Sequence, residues 1–355
     1  MDSPWVYPRE KTLTVKLLNF KSGEKIMLDF ILEYGFFLAK TATIVIAIVA
    51  VILVLVGVTN RKQAHSKDSI EITKLNQKYD DMAMILNANI LQKDELKKLK
   101  KEEKVKQKQK NAEDRKKRVY VINFHGDIRA SGVSSLREEI TAILTVATPD
   151  DEVFVRLESA GGVVHGYGLA ASQLMRIREK NIPLTAAVDK VAASGGYMMA
   201  CVANRVLAAP FAIVGSIGVV AQLPNFHKVL KKHDVDFEQF TAGEFKRTVT
   251  MFGENTKEAK SKFKEEIEDT HILFKDFIVK HRPGVDIAKV STGEHWPGIR
   301  ALENKLVDAL QTSDDYLLES SKHADIYEVS YTTKKTILEK LGFQVQQIVD
   351  RLQFG

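Results

Sequence analysis

Between residues 119 and 209, short apolar runs alternate with longer helix-like stretches, and this alternation restricts the fold more than any other feature of the chain. Runs 119–124, 153–157, 184–188 and 205–209 are rich in β-branched and small apolar residues. They are too short for buried helices and read as strands covered on both faces. Stretches 134–148 and 166–180 lie between them and read as helices. A strand–helix–strand series of this kind predicts βα units on a largely parallel sheet, with functional groups gathered at the carboxyl ends of the strands. Further on, 226–233 reads as a helix, 235–240 as a strand, 255–281 as a long amphipathic helix and 327–331 as a strand.

The strand ends carry suggestive chemistry. Directly after run 184–188 comes Val191-Ala192-Ala193-Ser194-Gly195-Gly196-Tyr197, one hydroxyl among small residues, followed by two glycines and a helix-forming stretch. A nucleophile is exposed in this way at a strand-to-helix turn. The amide of Gly195 and the helix dipole would face the oxygen that becomes negative. A tight turn with a solvated serine fits the same segment.

A serine hydroxyl is a poor nucleophile at neutral pH and needs a base. Lys246, in Thr241-Ala242-Gly243-Glu244-Phe245-Lys246-Arg247-Thr248, is the candidate, with Phe245, Val249, Met251 and Phe252 to desolvate it. Burial lowers a lysine by up to several units from its usual ~10.4, which is what a base requires. A solvated lysine is the plainer alternative. The run at 152–157 leads into Glu158-Ser159-Ala160-Gly161-Gly162, which makes Gly162 a second oxyanion donor beside Gly195. Gly215-Ser216-Ile217-Gly218 sets another hydroxyl between glycines, and Ser216 would orient the neutral amine of Lys246. Of the histidines, His165 lies nearest the glycine pair and reads as groove lining rather than as a base.

These residues, in this order, resemble the SohB/SppA family of signal-peptide-peptidase-like serine proteases. The resemblance covers residues 119 to about 310 and rests on Ser194-Gly195-Gly196-Tyr197, Gly215-Ser216-Ile217-Gly218 and Gly243-Glu244-Phe245-Lys246-Arg247, with 52 positions from serine to lysine. Gly293-Glu294-His295-Trp296-Pro297-Gly298, leading into Leu306-Val307-Asp308, supports it. The resemblance implies a Ser/Lys dyad of Ser194 and Lys246, Ser216 as the lysine-orienting hydroxyl, and Gly162 and Gly195 as oxyanion donors. It also implies a ClpP/crotonase-like repeated ββα core, a homo-oligomer, and peptide or protein substrates such as signal peptides or misfolded envelope proteins. This chain has Ala160 where relatives usually carry proline.

Ahead of this region, 36–58 reads as a transmembrane helix. From Thr41 it runs 18 residues without a charge, enough to cross the ~30 Å hydrocarbon core at ~1.5 Å per residue with modest adjustment at its ends. No small-x-small cleavage site closes it, so it reads as a retained anchor. Basic residues flank both ends, so charge leaves the orientation open. The resemblance places the chain in a bacterial inner membrane with the catalytic domain in the periplasm. The expected organisation is an N-terminal extension and lead-in at 1–35, the membrane helix, and a charged helical or disordered linker at 59–118. A protease domain at 119–312 and a C-terminal strand-and-helix extension at 313–355 complete it.

The formal charge of +6 belongs to one segment. Residues 93–118 hold 13 basic and 6 acidic side chains, so the remainder is nearly neutral and offers no basic surface for nucleic acid. Cys201 is the single cysteine, which excludes an intrachain disulfide. Scattered histidines make no zinc site, and the expected chemistry calls for no cofactor. Two other functions fit the same fold expectation: a crotonase-like acyl-CoA enzyme, and a non-catalytic scaffold that keeps a protease fold.

Overall fold

The computed structural model describes residues 34–48, 69–99, 101 and 117–332. Residues 34–48 are helical and belong to a different unit of the chain from the described residues that follow Asp68. Among the described residues no helix is long and apolar enough to cross a membrane. The rest of the expected span, 49–58, lies outside the described residues. So do 102–116 of the charged run and the tail beyond 332.

Unit Asp68–Thr333 is built on one ten-stranded sheet. In chain order its strands are β1 (Ser69–Lys74), β2 (Arg118–Gly126), β3 (Glu152–Ser159), β4 (Leu184–Val188), β5 (Val191–Ala193), β6 (Arg205–Ala208), β7 (Ile213–Gly215), β8 (His295–Pro297), β9 (Ala309–Leu310) and β10 (Asp325–Thr332). Hydrogen-bonded neighbours run β1-β10-β2-β3-β4-β6-β9, while β5 pairs with β3 and β7, and β8 with β7. The β1–β10 and β7–β8 pairs are antiparallel and the other pairs are parallel. The helices are α1 (Leu75–Ile90), α2 (Val133–Leu144), α3 (Val164–Glu179), α4 (Gly195–Ala200), α5 (His227–Lys232), α6 (Lys257–His281), α7 (Ile287–Val290), α8 (Gly298–Glu303) and α9 (Ser313–Ser320).

The reason for the near-continuous apolar runs is visible in the two cores. Tyr120, Ile122 and Phe124 of β2 and Val153, Val155 and Leu157 of β3 face one core with Leu136 and Ile140 of α2 and Leu174 and Ile177 of α3. The alternate residues, Val119 and Val121 of β2 and Phe154 of β3, face a second core with Leu317 of α9 and Ile326 of β10. A strand exposes opposite faces at period two, so a sheet covered on both sides needs apolar residues at every position. The long helix α6 is capped by Thr256, whose hydroxyl accepts from the Ala259 amide at 3.1 Å. It buries Phe274 and Ile278, whereas Ile272 stays 49% exposed.

Three expectations are corrected. The folded unit starts at Ser69, well before Val119: β1 pairs with β10 over six residues. The Asn76 side chain ties the start of α1 to the carbonyls of Ser321 and Ala324 at 3.2 and 2.9 Å and accepts from the Ile326 amide at 2.7 Å. An open sheet edge presents unpaired backbone groups that a further strand can satisfy, and β1 pairs with that edge through its backbone. At the other end, β10 is an interior strand between β1 and β2, so the unit continues past 312 without a break. Finally, 235–240 is not a strand. Among the described residues no strand pairs with it, and Phe240 stands 89% exposed.

Candidate active site

Strand β5 ends where the backbone is forced into an unusual shape. Ser194 has φ +50° and ψ −118°, a combination that costs a non-glycine residue ~1–3 kcal/mol. The surrounding hydrogen bonds hold it there. Its amide donates to the Gly215 carbonyl at 2.7 Å, extending the β5–β7 ladder, and its carbonyl accepts from the Met198 amide at 3.0 Å, opening α4. The hydroxyl-bearing residue is thereby lifted out of the sheet at the head of a helix, partly exposed, while Gly195, Gly196 and Tyr197 behind it are buried.

The turn after β3 packs directly against it. Gly161 has φ +90°, and a Cβ there would lie 2.7 Å from the Gly195 nitrogen and 2.8 Å from the Ser194 Cβ. Only glycine permits both the dihedral and the approach. Gly162 follows on the exposed side of this turn, where the next amide, Val163, donates to the Ile128 carbonyl at 2.8 Å. The two glycine turns expected to supply oxyanion donors are therefore neighbours.

Tyr167 of α3, which is not among the residues expected at the site, lies beneath both turns and is fully buried. A Cβ on Gly195 would collide with its ring, coming to 2.7 Å from Tyr167 Cδ2. Its hydroxyl donates to the Asp127 carbonyl at 2.7 Å and sits 2.5 Å from the Ser159 hydroxyl. Ser159 in turn accepts from the Gly161 amide at 3.1 Å. The available signal was an aromatic residue with a polar tip set between two glycines in Gly166-Tyr167-Gly168, which small neighbours allow to sink into the core.

Ser216 is also close to the nucleophile turn, since it follows the Gly215 that Ser194 bonds. It too has positive φ, +51°. Its amide donates to the Glu294 carbonyl at 2.7 Å and its hydroxyl to the Gly293 carbonyl at 3.4 Å, in the chain that leads into β8. Trp296 of β8 packs on the larger core beside Gly215.

Lys246 is placed differently from its expectation. The residue is exposed, and its ammonium makes no hydrogen bond or ion pair among the described residues. Its apolar neighbours are open as well: Phe245 is 54% exposed and Phe252 42%. The segment has no sheet to lie on, so sequence hydrophobicity alone does not make a pocket. Among the described residues no hydrogen bond joins Ser194 and Lys246. His165 is exposed and has no hydrogen-bond or ion-pair partner among the described residues. Cys201 is fully buried, and burial pushes its thiol far above the usual range, which removes it as a rival nucleophile.

Residues 29–174 match the model of the peptidase family S49 N-terminal region, and 176–327 match that of peptidase family S49 itself. A probable protease SohB of Haemophilus influenzae is 49% identical over 335 residues, covering 90% of this chain and 94% of that one. A probable protease SohB of Buchnera aphidicola from Schlechtendalia chinensis is 49% identical, covering 82% of this chain and 99% of that one. The solved structure of a membrane-bound stomatin-specific protease with a substrate peptide has TM-score 0.41 and 14% identity, covering 65% of this chain and 99% of that one. At 49% identity along nearly the whole length of such relatives, the chain belongs to peptidase family S49.

Proposed function

We propose that this chain is a membrane-anchored serine endopeptidase of a bacterial inner membrane, with its catalytic unit in the periplasm, acting on extended peptides such as signal peptides or misfolded envelope proteins. The observation that carries the reading is the strained Ser194, held at φ +50° between β5 and α4 with the Gly161–Gly162 turn packed against it. In the proposed reaction the Ser194 hydroxyl attacks the scissile carbonyl. The tetrahedral oxyanion accepts hydrogen bonds from the amides of Gly195 and Gly162. Lys246, in its neutral form, takes the hydroxyl proton and later delivers it to the leaving amine, after which water repeats the sequence on the acyl-enzyme. The parallel strand–helix series supports a ClpP/crotonase-like core, and the uncharged run 41–58 supports the anchor.

The exposure of Lys246 defines what this reading requires. A lysine base needs a dry setting, so the segment around Lys246 must be covered before it can act. That segment presents Val220 at 80%, Phe240 at 89% and Phe245 at 54% exposure. Scattered apolar residues are ordinary on a surface, but this concentration on one segment favours a partner. The occupant we propose is a second copy of the chain, which would desolvate Lys246 and complete the dyad. Ser216 then serves as the hydroxyl that orients the amine, after turning from Gly293.

Peptide cleavage by the full chain in detergent, compared with Ser194→Ala and Lys246→Ala, tests the reading. Both variants are expected to lose at least ~10³-fold in kcat, as loss of a nucleophile or its base does. Equal activity in all three proteins would remove the mechanism. Loss in the serine variant alone would keep a serine hydrolase and reject the lysine.

A further inference from the structure

Gly161, Ser159, Tyr167 and Asp127 form one connected series of hydrogen bonds under the nucleophile turn. The Gly161 amide donates to Ser159 Oγ at 3.1 Å. Tyr167 Oη donates to the Asp127 carbonyl at 2.7 Å and lies 2.5 Å from Ser159 Oγ, which in turn stands 3.4 Å from the Gly126 carbonyl. Hydrogen bonds joined in this way strengthen one another inside a low-dielectric core. The far end is itself held. The Asp127 carboxylate accepts from the Ser131 amide and hydroxyl at 2.8 and 2.6 Å, and its carbonyl also accepts from the Ala130 amide at 3.0 Å.

Two features tie this series to the reaction rather than to stability alone. The carbonyl of Ser159 packs on Gly196, where an added Cβ would stand 2.5 Å away. The Tyr167 ring closes on the backbone of Gly195, the residue whose amide would face the oxyanion. One tyrosine thus touches Gly195 with its ring and reaches the Gly161 turn through a single serine. The spacing of the two oxyanion amides is set across this joint.

We infer that Tyr167, acting through Ser159, is a positioning residue that holds the Gly161–Gly162 turn at a fixed distance from Gly195. The inference rests on the oxyanion reading proposed above. Tyr167→Phe keeps the ring and removes the hydroxyl. It is expected to lower kcat about tenfold with KM unchanged, since sub-ångström misplacement of a catalytic donor weakens only the transition state. Affinity for a peptide boronate, which mimics the tetrahedral oxyanion, should fall by a similar factor. Ser159→Ala should lose at least as much, and the double variant no more than Ser159→Ala alone, because the two side chains act in series. Tyr316→Phe serves as the structural control: it breaks a 2.5 Å hydrogen bond to Glu152 and should leave kcat, KM and boronate affinity as in the parent chain.

Amide hydrogen exchange supplies an arm that does not depend on catalysis. In Tyr167→Phe, exchange at 160–163 and 194–197 should quicken while the global unfolding transition keeps its cooperativity. Unchanged exchange there overturns the joint. Faster exchange with unchanged kcat and boronate affinity overturns its catalytic role. An inactive parent chain, or full activity in Ser194→Ala, would instead bring down the peptidase reading, and the positioning role with it, whatever the exchange shows.

Discussion

Residues 184–218 and 219–254 are adjacent in sequence and held in opposite ways. In the first segment Leu184, Val188, Ala192, Val214 and Ile217 are at most 1% exposed, and strands β4 to β7 tie their backbones into the sheet. In the second segment no residue joins the sheet, and Val220 and Phe240 are 80% and 89% exposed. What order it has is local. Phe252 lies 6.1 Å from Phe226 and 5.8 Å from Phe237, and the Asn225 amide side chain bonds the Thr250 and Gly253 carbonyls at 2.9 and 3.0 Å. A nucleophile can be placed to a fraction of an ångström by the first kind of support. The second kind gives Lys246 no comparable support. The two halves of the proposed dyad thus come from regions of very different rigidity.

The sharpest way to probe that difference is to add one methyl group to the rigid region. In Gly195→Ala the new Cβ collides with the Tyr167 ring, which has no room to retreat because its hydroxyl is fixed by Ser159 and Asp127. We expect a stability loss of about 3 kcal/mol in denaturant unfolding, together with loss of cleavage. A loss under about 0.5 kcal/mol would mean that this region is softer than its packing says.

A smaller effect is expected at the opposite end of the same sheet. Asp151 is 2% exposed and meets Arg118, whose Nε and Nη2 donate at 3.0 and 2.5 Å. Burial acts to raise this carboxyl, but the bonds from Arg118 and Thr148 outweigh it and hold the group below the usual aspartate range. A depressed carboxyl stabilises the fold above its unfolded value and loses that contribution as pH falls through the folded one. Stability should therefore decline below about pH 4. Asp151→Asn should cost about 2 kcal/mol at neutral pH and flatten that acid limb. A variant with the same acid limb as the parent would assign the acid sensitivity to other carboxylates.

The smallest change in folding is predicted for the exposed segment. Phe240→Ser should alter the chain's own unfolding free energy by less than about 0.5 kcal/mol. Sedimentation of the full chain in detergent should shift toward the monomer, and cleavage should fall with it. Unchanged mass and unchanged cleavage would remove Phe240 from any interface and leave the two regions independent.

Much of the rigid region was legible beforehand. The strand expected at 184–188 is observed with those bounds, and 205–209 differs by one residue. Ser194, Gly195 and the glycine pair after β3 converge as the strand-end rule requires. The rule works because a strand covered on both faces must be apolar throughout, a pattern few other structures produce. Lys246 was the opposite case. Its apolar neighbours suggested a pocket, but hydrophobic residues in sequence make one only when a scaffold folds over them, and the strand expected at 235–240 had no edge to join. Tyr167 was missed because nothing in one dimension separates a packing tyrosine from one that bridges two turns. The sheet membership of β1 was hidden by a charged neighbourhood.

Taken alone, the order of residues determined a parallel α/β sheet with a serine and two glycine turns at its strand ends. That information is local: periodicity dictates strands, and glycine marks where a backbone must bend sharply or approach another. Only the tertiary structure decided that an N-terminal strand completes the sheet through β10, that Tyr167 joins the two glycine turns, and that Lys246 stands in solvent. Each of those depends on which distant surfaces meet, and burial is a property of the assembled fold that no short window of sequence contains.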